Sequence, residues 1–115
     1  MSIFEDMTNA EREVAGFLSD LRIWWTFQQP VCVEDEKSRP RIWSPDFYLS
    51  ELGLYIEVCG SERFDYSYRE KIYKANRIPV IFVHLYKEGA KWSYFLIQRI
   101  KEIHAMRSGI IDKLV

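Results

Sequence analysis

Apolar positions along the chain change period several times, and each change predicts an element. Ala10, Val14, Phe17, Leu18 and Leu21 form one stripe at helical spacing. Thr8 and Glu11 have the spacing of a capping box, so a helix is expected from about Asn9 to Leu21. Ile23 to Phe27 then reads as a strand-like aromatic run, continued past Pro30 by Val31 to Val33. The segments 42–49 and 54–59 alternate with period two and predict a hairpin around Ser50, Glu51, Leu52 and Gly53. Pairing Leu49 with Leu54 sets Tyr48 against Tyr55, Phe47 against Ile56, Asp46 against Glu57 and Ser44 against Cys59. One face then carries Pro45, Phe47, Leu49, Leu54, Ile56 and Val58, all suited to a core. The other carries Ser44, Asp46, Tyr48, Tyr55, Glu57 and Cys59.

Past Gly60, residues 65–76 read as a second helix with Tyr68, Ile72 and Ala75 inward. Residues 78–85 are apolar on both faces, which predicts a central, parallel strand. The connection from Cys59 to Ile78 is long enough for a crossover. Ser93 is placed to cap a last helix, with Leu96, Ile100 and Ile103 facing the core and an end near Gly109. The order αβββαβα describes an α/β domain with one mixed sheet and helices against it.

Composition narrows this in only a few respects. A chain of 115 residues holds a single domain, 1–115, and 48% hydrophobic with 16% aromatic residues suits a packed core. No apolar run reaches the roughly 20 residues of a membrane span, and the first residues lack a signal-peptide core. No membrane partner is therefore expected, and a cytoplasmic location is the simpler expectation. Sixteen Lys and Arg against seventeen Asp and Glu give a net charge of −1, so any nucleic-acid surface must come from local clustering. Acids gather at 33–36 and bases at 37–41 and 69–77. Cys32 and Cys59 form no CxxC pair, and His84 and His104 lack partners at metal-ligand spacing, so a structural zinc site is not expected. Trp24, Trp25 and Phe27 read either as rings that stack on bases or, at strand spacing, as core and dimer surface. Lys37, Arg39 and Arg41 read equally as phosphate contacts or as a solvated loop.

The hairpin register carries the chemistry. Directly opposed side chains on one sheet face have Cβ atoms roughly 5 Å apart, and like charges placed so are destabilising. Asp46 against Glu57 therefore asks for a cation. Two converging carboxylates suit a hard divalent ion such as Mg²⁺, with the backbone carbonyl of Val58 as a further oxygen ligand. The competing reading leaves both acids on a solvated hairpin face. Glu11 is explained equally by the capping box alone.

Pro45-Asp46 followed by Glu57-Val58-Cys59 resembles the motif of the PD-(D/E)XK nuclease superfamily, with Cys59 where the family has lysine. The stretch 10–23 resembles the first helix of archaeal Holliday-junction resolvases, and LYIEVCG followed by RIPVIFVHL resembles their strand–helix–strand core. The resemblance implies a restriction-endonuclease-like αβββαβ core and a homodimer acting on DNA. It implies metal-dependent phosphodiester hydrolysis with Mg²⁺ or Mn²⁺, with Asp46 and Glu57 as ligands and Glu11 as an auxiliary acid. Cys59 departs from the pattern, because a neutral thiol cannot supply the lysine's charge. Arg69 and Lys71 on the following helix are the candidates to replace it. The alternatives are a catalytically inactive module of the same fold, binding nucleic acid or a protein partner, and a metal hydrolase of another substrate.

Overall fold

The computed structural model describes residues 3–88 and 91–114. After a short 3-10 turn at Ile3–Asp6, helix α1 runs from Asn9 to Asp20. The capping box forms as expected: Glu11 N donates to Thr8 Oγ1 at 3.2 Å and Thr8 N donates to Glu11 Oε1 at 2.8 Å. Strands β1 (Thr26–Phe27), β2 (Val31–Glu34), β3 (Pro40–Trp43), β4 (Phe47–Leu49) and β5 (Leu54–Cys59) follow. Then come α2 (Ser67–Ala75), β6 (Val80–His84), the short α3 (Leu85–Glu88) and α4 (Trp92–Leu114).

The main sheet has the order β1-β4-β5-β6. Strand β4 is antiparallel to both β1 and β5, and β5 runs parallel to β6, so the sheet is mixed. The expected hairpin register holds at Leu49↔Leu54, Tyr48↔Tyr55 and Phe47↔Ile56, and the ladder stops there. Residues 42–49 are not one strand. They divide at Ser44 and Pro45, because proline has no N–H to give to a ladder. The part before the break pairs with β2 in a separate antiparallel hairpin, from Val31↔Trp43 to Glu34↔Pro40, and Ser44 makes no pair with Cys59.

Both faces of the main sheet are covered, and the period of two decides what each receives. Leu54, Ile56, Ile81 and Val83 join Phe47 and Leu49 against Val14, Ala15 and Leu18 of α1 and Leu96 and Ile103 of α4. Each such side chain fully withdrawn from water contributes roughly 1.5–3 kcal/mol. The opposite face packs Cys59 and Phe82 against Ile72 and Tyr73 of α2 and Val33 of β2. Strand β6 is apolar on both sides for this reason. It is an edge strand of the main sheet and not a central one, and parallel pairing to β5 is as expected.

The helices depart from expectation mainly at their ends. On α2 the inward residues are Ile72 and Tyr73, whereas Tyr68 and Ala75 are exposed. Helix α1 and helix α2 each stop at a left-handed residue, Arg22 (φ 58°) and Arg77 (φ 58°), with Ile23 N returning to Leu18 O and Ile78 N to Tyr73 O. Helix α4 starts at Trp92, so Ser93 lies inside its first turn and not at its cap. It continues through Gly109, which stays out of the left-handed conformation that ends helices. Arg107 of α4 donates to Leu52 O and, at 3.1 Å, to Gly53 O, tying the last helix to the β4–β5 loop. Among the described residues, no helix is long and apolar enough to cross a membrane.

Candidate functional site

The break at Pro45 leaves strand β5 with an N–H that β4 no longer meets. The Asp46 side chain takes it: Val58 N donates to Asp46 Oδ2 at 2.7 Å. In return, Asp46 N donates to Glu57 Oε1 at 3.2 Å, and Asp46 O accepts from Gln28 N at 2.9 Å. Asp46 and Glu57 are therefore adjacent, as the spacing demanded, but through side-chain-to-backbone bonds and not as a pair in the ladder. Glu57 is buried and Asp46 half-buried, so neither decorates a solvated face.

Glu11, in the first turn of α1, joins them. It lines the same groove, of about 560 Å³, together with Asp46, Glu57, Val58 and Arg69. Burial, first, then hydrogen bonding with Glu11 and the charge of Glu57 push the Asp46 carboxyl up to about 8. Burial likewise raises Glu57, opposed by the Arg69 charge and by the Asp46 N–H. Carboxylates crowded in a half-buried groove need a proton or a cation.

Arg69 is the cation that this chain supplies. Its Nε lies 3.4 Å from Glu57 Oε2, within ion-pair range, yet that N–H is buried without a hydrogen-bond partner. The guanidinium also donates to the Tyr73 hydroxyl at 3.2 Å and lies 5.2 Å from the ring centre of Trp43 and 5.9 Å from that of Tyr73. Burial works against its charge and is outweighed by the Tyr73 hydroxyl and the Glu57 and Asp46 charges, which raise its pKa. Lys71 is exposed and does not line the groove.

Cys59 is a core residue. It is fully buried in the second cluster, and burial, reinforced by the charges of Glu57 and Asp46, pushes its thiol up to about 12. It is not part of the groove lining.

Other sequence candidates have structural employment. Asp35 is buried and accepts from Lys37 N, Arg39 N, Arg39 Nε and Arg41 Nε, which fixes the β2–β3 turn. These bonds, with that from Arg39 N foremost, hold its carboxyl down at about 2. Trp25 and Phe27 pack on Phe47, whereas Trp24 is exposed. His84 Nδ1 lies 3.0 Å from the Tyr86 hydroxyl, and His104 is exposed. Trp43, Phe64 and Tyr66 escaped the sequence reading. The only signal for the first is its place two residues before Pro45.

The donor set around Asp46 is all oxygen, which fits a hard divalent ion. As it stands, however, no group of three or more His, Cys, Asp or Glu side chains among the described residues is disposed to hold one. Hydrogen bonds and Arg69 occupy the inner carboxylate oxygens instead. No protein-family model, curated protein or solved structure matches this chain. The site's own chemistry therefore carries the functional reading.

Proposed function

We propose that the chain is a metal-dependent DNA endonuclease that hydrolyses phosphodiesters in this groove. The observation that carries the reading is the convergence of Glu11, Asp46 and Glu57 with the guanidinium of Arg69. Helix, three strands, helix and strand, with the two-stranded β2–β3 hairpin set aside, also follow the αβββαβ order that the sequence resemblance implies. The first residues of α1, the start of β4, the end of β5 and α2 supply one acid or base each.

Asp46 and Glu57 would hold Mg²⁺ or Mn²⁺, with the Val58 carbonyl and Glu11 as auxiliary oxygens. When bound, such an ion polarises the phosphate and lowers the pKa of an attacking water. The chain's own contribution is positional and electrostatic. Arg69 replaces the lysine that Cys59 lacks, and its guanidinium charge, held beside Glu57, stabilises negative charge as it builds on the phosphate. Trp43 and Tyr73 hold that guanidinium in place before substrate arrives, so little reorganisation is needed.

Calorimetric titration with Mg²⁺ and Mn²⁺ tests the site, using the parent protein and an Asp46→Asn/Glu57→Gln double variant whose amides keep the shape. Binding by the parent alone is the expected result; silence from both would overturn the reading. In cleavage assays on DNA, Arg69→Ala should lose about 10²–10³ in kcat, the usual effect of deleting one charge-stabilising donor, while Lys71→Ala stays near parent. The active species on this reading is a homodimer, because one small chain covers little of a DNA substrate. Light scattering should give twice the 13.8 kDa chain mass, and a monomer at working concentration would sink that part.

A second reading has its own support. Glu57 is already paired with Arg69, and the lysine position is a buried thiol. A module that binds DNA without cutting it would show salt-sensitive binding and intact strands in Mg²⁺.

A further inference from the structure

The groove that holds the carboxylates is larger than a metal site requires. An octahedral ion with six waters fills about 180 Å³ at the liquid share of each water, against about 560 Å³ here. The remaining lining comes from the start of α1 (Thr8, Asn9 and Ala10) and from the segment between β5 and α2. Two aromatic side chains of that segment, Phe64 and Tyr66, line the same groove as Asp46 and Glu57.

These two rings are held differently. Tyr66 is half-buried and packs on the second core cluster, with its ring centre 6.5 Å from that of Phe82 and 5.9 Å from that of His84. Phe64 leans on Tyr66, centres 4.6 Å apart at 54°, and leaves 53% of its own surface exposed. Local bonds fix the backbone on both sides of it. Ser61 Oγ accepts from Arg63 N at 3.2 Å, and the Asp65 carboxylate accepts from both the N–H and the hydroxyl of Ser67. At the start of the segment, Gly60 passes so close to α1 that a Cβ there would lie 3.3 Å from the Ala10 Cβ. A large apolar ring is thus presented, on a supported backbone, in the groove that also holds the carboxylates and Arg69.

A nucleotide has a phosphate and a flat π-face joined by a short sugar, and the groove offers a partner for each. In the interior of a duplex both faces of a base are covered by its neighbours, so away from the ends a protein ring can stack only on a base that is unpaired or turned out. We propose that Phe64 is a stacking platform for an unpaired nucleobase, which makes single-stranded DNA (a flap, a gap or a frayed end) the substrate class of this groove. The inference rests on the phosphodiesterase reading of the carboxylates and adds to it the form of DNA that the site selects. Such stacking tolerates any base, so it brings selection of strand form without selection of sequence.

Fluorescence anisotropy in Mg²⁺ tests this with phosphorothioate-linked probes that resist cutting: a mixed-sequence single strand of about 12 nucleotides, within the span that such grooves bind, and its blunt duplex. The parent should prefer the single strand. Phe64→Ala should lower single-strand affinity about tenfold, as loss of one base–aromatic stack does, and leave duplex affinity unchanged, while Phe64→Trp restores it. Because Phe64 is exposed, the variants should melt with the parent. The proposal is overturned if Phe64→Ala leaves single-strand affinity unchanged, if it lowers single-strand and duplex affinity alike, or if Trp fails to rescue. Calorimetry with Mg²⁺ on the same samples separates the two levels. A Phe64-dependent strand preference in a protein that binds no metal keeps the platform and removes the hydrolase. Metal binding and cleavage that ignore Phe64→Ala do the reverse.

Discussion

Asp46 shows how one residue can be both a structural plug and a reactive group. Its Oδ2 stands in for a missing strand carbonyl, which explains why the position is an acid even before any chemistry. The same burial holds its pKa at about 8, above the ordinary 3.8, and Glu57 moves in the same direction. A group whose folded pKa is raised binds its proton more tightly folded than unfolded, so it stabilises the fold below the ordinary value and loses that contribution as pH rises through the folded one. In metal-free buffer the melting temperature should therefore fall between pH of about 4 and about 8, and Asp46→Asn should flatten that slope. Thermal melts in a chelator across that window read it; a flat profile in the parent would show that the carboxyl is not held protonated. Asp35, held at about 2, titrates below this window and does not confuse the result.

Spacing alone brought Asp46 and Glu57 together, because strand alternation is a local rule, whereas Glu11 was joined to them only by the family resemblance. Choosing Arg69 over Lys71 required the phase of α2. Arg69 stands four residues before the buried Tyr73, on its face of the helix, while Lys71 is turned away from it. The placement of Phe64 and Tyr66 in the groove was not legible, since nothing in the pattern of a loop says which groove it lines.

At the scale of elements, the connection from β4 to β5 is held from outside itself. Gly53 adopts φ 60°, a conformation that favours glycine, and Gly53 N and Leu52 N both donate to Leu49 O. Arg107 reaches across from α4 to the carbonyls of Leu52 and Gly53. Removing that side chain strands two half-buried carbonyls that water can partly recover, so Arg107→Ala should destabilise the protein by about 1–3 kcal/mol. Hydrogen exchange should quicken in residues 50–54 first; unchanged protection there would mean that the loop holds its shape alone. The hairpin register was readable because the turn and both apolar faces agree with it. The split of residues 42–49 into two strands in two sheets was not, since alternation continues straight across the break and only Pro45 marks it.

At the scale of the whole molecule, covering both sheet faces is what turns a hairpin into a site. Helices α1 and α4 take one face, and α2 with the β2–β3 hairpin takes the other. The second cover is what buries Glu57 and Cys59 alike. The sequence placed the helices and β6 correctly in kind but could not show which strand lay at the edge, because an edge strand covered on both faces has the same apolar pattern as a central one.

The β4–β5 connection then has a consequence in arithmetic. Each residue added to a strand reverses the side that every later residue faces, so the identity of the groove is stored as the parity of a count. One residue inserted within β5 between Leu54 and Tyr55, with Leu54 held fixed, would send Glu57 toward α1 and α4 and turn Ile56 toward Arg69, whereas two would restore the sides. Gly53 and Arg107, which touch neither metal ligand nor substrate in this reading, are the parts that keep that count.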